Sequence, residues 1–352
     1  MDRDLPVPAD LKRGEGSGAE GAPGVGRRMT GTLVVLILLT GAALRFAYPE
    51  ADSMYYYCMG TAGGDESWQH EGRNKYLWGA FHQPNDDWQT SLVAAPSNGL
   101  TYLSFRCFGM STQSLRLAPR LLGVLAVVLM GVTAWTAWGR RAGLSCMLTS
   151  AVALPLVAFS RVAMIEGFLL SVSTLLLLLA VWQIQGRRLG ILIGLTAALC
   201  FAIKASGVLL ILPIGAAMLV CAVLERARGA SWWRSFQRVG IPGSLLGGVV
   251  GGGAYWLLVI RGHEEAWWYI NFTYCAVGRM AGMGVGDLVK TFVKLPTHAE
   301  AIFVVLAPVC LLAMYQSVQV LASLAERRRQ SRFTSDGSLV SAELFLTLVL
   351  LA

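Results

Sequence analysis

Charged side chains are scarce in this chain. Asp, Glu, Lys and Arg make up 14% of its 352 residues, where a soluble domain carries roughly a quarter. That shortage excludes an ordinary water-soluble globule. The seven cysteines (58, 107, 146, 200, 221, 275 and 310) contain no CxxC pair, and the four histidines lack a spacing such as HExxH, so no zinc site is expected. No repeat of fixed period runs through the sequence, which excludes a stacked-repeat architecture. Acidic residues are too few to balance the basic ones, and the formal net charge is +8. Nucleic acid is nevertheless not the expected partner, because most of the positive charge sits in short segments between apolar runs.

Those apolar runs dominate what is present. Hydrophobic residues make up 55% of the chain, and runs near 20 residues recur, the length that crosses a hydrocarbon layer of ~30 Å. Lipid cannot satisfy backbone polar groups, so spanning segments must be helices or closed barrels. Their Leu, Ala, Val and Gly content selects helices. The expected fold is an all-α, polytopic transmembrane bundle of about nine spans, near 31–48, 118–138, 142–159, 167–185, 189–203, 206–224, 240–260, 300–322 and 338–352. Residues 1–28 are polar and rich in Gly, Pro and charge. They read as a disordered cytoplasmic tail preceding a membrane domain over 29–352. The last run has only 15 residues, ending at Ala352, which predicts either a short final helix or a chain that continues.

Cations orient the spans. With the N-terminus inside, the inner segments hold 17 of the 29 Lys and Arg residues, including Arg140, Arg141, Arg187, Arg188, Arg234 and Arg238. The positive-inside rule then gives one consistent topology, in which the 49–96 loop faces outward. That loop carries seven acidic residues, Glu50, Asp52, Asp65, Glu66, Glu71, Asp86 and Asp87. Trp138, Trp232, Trp233, Trp267, Trp268 and Tyr269 stand at loop edges, as interfacial anchors do. The Gly247–Gly253 run lies within a span and predicts close helix packing rather than phosphate binding.

Three groups could carry chemistry. Asp65-Glu66 in the outer loop could accept a proton from a hydroxyl or hold a divalent cation; equally, exposed carboxylates can simply be solvated. Ser160-Arg161-Val162-Ala163-Met164-Ile165-Glu166 forms a short outer connection. There Arg161 and Glu166 could line a water-filled site, or could pair with each other to fix the turn. Lys204 stands alone between two apolar runs at the outer boundary, suited to a lipid-linked phosphate or to snorkelling at the interface. Arg116 precedes the second expected span and Arg120 stands at its start; both would add positive potential for the same phosphate.

In this order, the strings resemble the C-type glycosyltransferase superfamily, and within it the protein O-mannosyltransferases and lipid A aminoarabinose transferases. Ser114-Leu115-Arg116-Leu117-Ala118-Pro119-Arg120-Leu121-Leu122-Gly123 resembles the family's LRLPSALFG. The 160–166 connection resembles its SRxAxxD turn, with Glu166 in the acidic place. Lys204-Ala205-Ser206-Gly207-Val208-Leu209-Leu210 is similar to its TKxxGLLLLP step, completed by Pro213. Where the family often shows His-Pro-Pro-Leu, this chain has Pro96-Ser97-Asn98-Gly99-Leu100.

The resemblance implies a membrane enzyme using a polyprenyl-phosphate-linked sugar donor and a protein, lipid or glycan acceptor. Its active face would be non-cytoplasmic, and a bacterial inner membrane is the expected location. Asp65, Glu66 and Glu166 would be the catalytic carboxylates, with Asp52 competing for the role of Asp65. Arg161, Lys204 and Arg116 would bind the lipid phosphate. No cofactor is implied beyond a divalent cation, and no nucleotide-sugar site is needed. A carrier of lipid-linked sugars and a membrane scaffold without chemistry are the competing readings.

Overall fold

The computed structural model describes residues 23–47, 70–79, 91–162, 165–227, 229–269 and 271. Among these the chain is all-helical, with no strand. The helices are α1 (Pro23–Phe46), α2 (His70–Trp78), α3 (Ser91–Phe108), α4 (Thr112–Trp138), α5 (Arg140–Val152), α6 (Leu154–Arg161), α7 (Ile165–Ile184), α8 (Gly190–Ile203), α9 (Val208–Ala227), α10 (Trp232–Val239), α11 (Ile241–Tyr255) and α12 (Glu264–Trp268). A 3₁₀ turn at Ala205–Gly207 precedes α9, and a π-helical turn at Trp256–Ile260 continues α11.

Five of these segments are long and apolar enough to cross a membrane: Met29–Phe46, Thr112–Trp138, Ile165–Ile184, Val208–Ala227 and Ile241–Ile260. Their outer surfaces are apolar. Val249 and Leu258 on the α11 segment are 73% and 84% exposed, an arrangement that water would oppose and lipid tails accept. The apolar core lies between α7, α8 and α9, around Phe168, Leu176, Val181, Ile203, Met218 and Cys221.

Several expected boundaries are corrected. The expected 142–159 span is two helices, α5 and α6, broken at Ala153, because Pro155 has no N–H to continue the ladder. The second span begins at Thr112 rather than 118, with Ser111 capping it by accepting from the Ser114 N–H at 3.1 Å. The 49–96 loop contains α2 and the start of α3. Helix α1 begins at Pro23, inside the stretch expected to be a tail. The expected spans 300–322 and 338–352 lie outside the described residues.

Close approach of backbones sets the packing. A single residue, Gly139, joins α4 to α5 at φ +86° and ψ −179°, a conformation open essentially to glycine alone. Helices α8 and α11 run parallel with their backbones in contact. A Cβ at Gly194 would lie 2.0 Å from the Ser244 carbonyl oxygen, and one at Gly247 would lie 2.1 Å from that of Ile191. The expected glycine run thus packs through Gly247 and Gly251, whereas a Cβ at Gly248, Gly252 or Gly253 would meet nothing within 4 Å.

Candidate functional site: a basic helix end

The ends of α1, α6 and α8 and the starts of α4 and α7 are joined by polar contacts that hold five cationic side chains. Pro155 is the local cause of one of them. Because it cannot donate, the Ala151 carbonyl at the end of α5 has no backbone partner, and Arg45 from α1 takes that place. Its guanidinium donates to the carbonyls of Ala151 (3.0 Å), Ser150 (3.2 Å) and Gly41 (3.0 Å). Arg45 is 1% exposed, so this buried cation is compensated among the described residues by carbonyl dipoles at a helix C-terminus, where positive charge is favoured. Gly123 makes room for the junction, since a Cβ there would lie 2.3 Å from the Ser160 Cβ and 2.9 Å from the Arg45 Nε.

Arg120 on α4 donates through Nη2 to the Arg161 carbonyl at 3.3 Å, and its guanidinium stands 6.0 Å from the centre of the Phe46 ring. Arg116, one turn earlier on α4, is buried like Arg120. Arg161 closes α6 and donates from Nη1 to the Leu44 carbonyl at 2.8 Å. Ser171 on α7 donates to the Leu122 carbonyl at 2.7 Å, which fixes α7 against α4.

Lys204 ends α8 and forms an ion pair with Glu166 in the first turn of α7. Both side chains are about one-third exposed, 37% for Lys204 and 33% for Glu166, so the pair remains reachable. This corrects one alternative left open by the sequence: Glu166 pairs with Lys204, not with Arg161. The spacing of five residues suggested a local turn, but the two charges sit on opposite sides of the α6–α7 break. Asp65, Glu66 and Asp52 lie outside the described residues. The structure therefore puts Arg161, Arg116, Lys204 and Glu166 at the same end of the bundle, with Arg45 and Arg120; Lys204 and Glu166 touch, while Arg45, Arg120 and Arg161 are bonded to backbone carbonyls.

Pro96-Ser97-Asn98-Gly99-Leu100 falls inside α3, which kinks at Ala94 (φ −140°, ψ 37°). Asn98 is fully buried, and its Oδ1 accepts the Gly72 N–H from α2 at 3.0 Å. Helix α3 in turn touches α4, α7, α8 and the π turn, so α2 and α3 rest on the same end of the bundle as Lys204. A cavity of about 650 Å³ opens there, walled by Phe201, Tyr255, Trp256, Trp267 and Trp268. Glu264 borders it, and its carboxyl is held below the usual glutamate range by the Gly262 N–H, which donates at 3.0 Å. Among the described residues, no group of three or more His, Cys, Asp or Glu side chains gathers as a metal site.

Over the described residues, fold and site define a class: an all-helical arrangement with apolar helices of membrane-crossing length and buried and reachable cations at one bundle end. Comparison with models of known families, with curated proteins and with solved structures finds no match.

Proposed function

We propose that this protein is a multi-pass membrane glycosyltransferase of about nine spans, acting on the non-cytoplasmic face of a cell membrane. The observation that carries the reading is the reachable Lys204–Glu166 pair at the end of apolar helices, with Arg161 and the buried Arg116, Arg120 and Arg45 at the same end of the bundle. Positive charge concentrated at the end of apolar helices suits the phosphate of a lipid whose tail lies along those helices. The aromatic-walled cavity of about 650 Å³ beside Phe201, three residues before Lys204, offers apolar surface for isoprenoid units.

The donor in this reading is a sugar on polyprenyl phosphate. An acceptor hydroxyl attacks C1 while a carboxylate, Asp65 with Glu66 beside it, removes the hydroxyl proton. A new C1–O bond forms to the acceptor as the C1–O bond to phosphate breaks, with inversion at C1. The leaving polyprenyl phosphate keeps the electron pair, and Lys204 and Arg161 stabilise the charge it gathers. Glu166 holds Lys204 in place between turnovers and shares it with the phosphate when the donor binds, which makes it a positioning residue.

The test is sugar transfer from a synthetic polyprenyl-phosphate-linked donor by the full chain in detergent. The reading predicts transfer by the parent, at least 100-fold less (on the order of the 10²–10⁴-fold of general base catalysis) with Asp65→Asn, and a raised donor KM with Lys204→Gln. Equal transfer by the parent and Asp65→Asn removes Asp65 from the base role. Movement of the donor across vesicles without any product points to a carrier instead.

A further inference from the structure

The opposite end of the bundle, where α8 and α11 begin, holds a cavity of about 710 Å³ that the proposed reaction does not use. Arg188, Arg234 and Arg238 line it, and none of its lining residues is acidic. Arg238 is partly neutralised by Glu225, which accepts from it at 2.7 Å. Arg188 and Arg234 are exposed, and their side chains have no hydrogen-bond or ion-pair partner among the described residues. With three arginines set against one glutamate, the cavity keeps an excess of positive charge.

The backbone contributes dipoles of both signs, because the last turns of α7 and α10 (Gln183, Gln237 and Arg238) also line the cavity. Gly190, Ile191 and Leu192, the first turn of α8, line the cavity together with Gly240 and Gly243 from the start of α11. Neither helix has a side-chain cap. Because the two helices are parallel and their backbones touch, the positive ends of both dipoles face the same space. An anion at these two first turns is favoured by their dipoles, while the net positive charge of the cavity comes from its arginines. The floor is rigid: Gln183 accepts the Leu189 N–H at 2.6 Å and donates to the Arg238 carbonyl at 2.9 Å.

The surroundings identify the source of the anion. Ile191 and Leu192 are about half exposed at the cavity rim, which joins the basic space directly to the apolar outer surface of α8. Trp232 and Trp233 on the short helix α10 are also exposed, as indoles at a membrane interface are. We propose that this cavity binds the phosphate of an anionic phospholipid headgroup, with an acyl chain running along the exposed face of α8. The proposal needs only a membrane setting and is independent of the glycosyltransferase reading.

Native mass spectrometry of the full chain in a neutral detergent tests it, comparing phosphatidylglycerol with phosphatidylcholine of the same acyl chains. The parent retains phosphatidylglycerol in several-fold excess over phosphatidylcholine. R188Q/R234Q lowers that excess on the order of tenfold or more, as expected for two lost cations near a headgroup. Lys204→Gln at the other end lowers it less than R188Q/R234Q does. Raising salt from about 0.05 to about 0.5 M strips the excess from the parent, a check that needs no variant. Calorimetric titration with sodium phosphate forms the second arm: heat that R188Q/R234Q abolishes, without any phosphatidylglycerol preference, would keep the anion site but overturn its assignment to lipid. A parent with neither preference nor heat, or signals unchanged in R188Q/R234Q, would overturn the site itself.

Discussion

Arg45 and Pro155 are separated by 110 positions in the chain, yet the structure makes the role of one depend on the other. Pro155 removes the backbone donor that would have served the Ala151 carbonyl, and Arg45 supplies the replacement. Replacing Arg45 with Met removes three charge-assisted hydrogen bonds and orphans the Ser150 and Ala151 carbonyls. Hydrogen bonds to charged groups are worth about 1.5–3 kcal/mol each, but removing a buried charge recovers part of its desolvation. A net loss of about 2–3 kcal/mol follows. Pro155→Ala restores an N–H facing Ala151 and returns about 1 kcal/mol of that loss. A double-mutant cycle over R45M and P155A, read by SDS titration and circular dichroism in mixed micelles, should therefore show a coupling of about 1 kcal/mol, with R45M milder in the P155A background. Additivity within about 0.3 kcal/mol would refute the capping argument.

Other outcomes follow from the same geometry. Gly194→Ala places a methyl against the Ser244 carbonyl at 2.0 Å and should destabilise the α8–α11 pair by about 1–3 kcal/mol or more, whereas Gly248→Ala, with open space around it, should be neutral in thermal unfolding. A cycle of Glu166→Gln and Lys204→Gln should give a coupling of no more than about 1 kcal/mol, because both side chains are a third exposed and solvent screens them; a coupling of several kcal/mol would mean a far drier pair. Glu264 has a lowered pKa through the Gly262 N–H. Its contribution to local order is thus present above the ordinary glutamate range and is lost as pH falls below it. Tryptophan emission from Trp267 and Trp268 should shift on acidification in the parent and stay level in Glu264→Gln.

Hydropathy made α7, α8 and α9 legible to within three residues, since Arg187-Arg188, Lys204 and Glu225-Arg226 bound their apolar runs. It failed at 142–159 because Leu154-Pro155-Leu156-Val157 is as apolar as its neighbours, and a missing N–H leaves no trace in a hydropathy window. It started α4 late because Arg116 looks like a flank, although it is buried in the helix. Arg45, near the end of the 31–48 run, carries no mark of its role in the sequence; only Pro155 hints that a carbonyl elsewhere needs a donor. The Glu166–Lys204 pair joins residues 38 apart through the α7–α8 hairpin, and spacing alone favoured the nearer Arg161. The basic cavity at the other end was missed because its arginines were fully accounted for by topology. Its backbone N–H groups appear only once α8 and α11 are set side by side.

The account rests on a phosphate headgroup being held at the Lys204 end, and equilibrium binding of polyprenyl phosphate to the full chain measures that directly. The affinity should fall on the order of tenfold in Lys204→Gln and again in Arg161→Gln, by more than in R188Q/R234Q. Affinity that ignores Lys204 and Arg161, or that responds only to R188Q/R234Q, would contradict it.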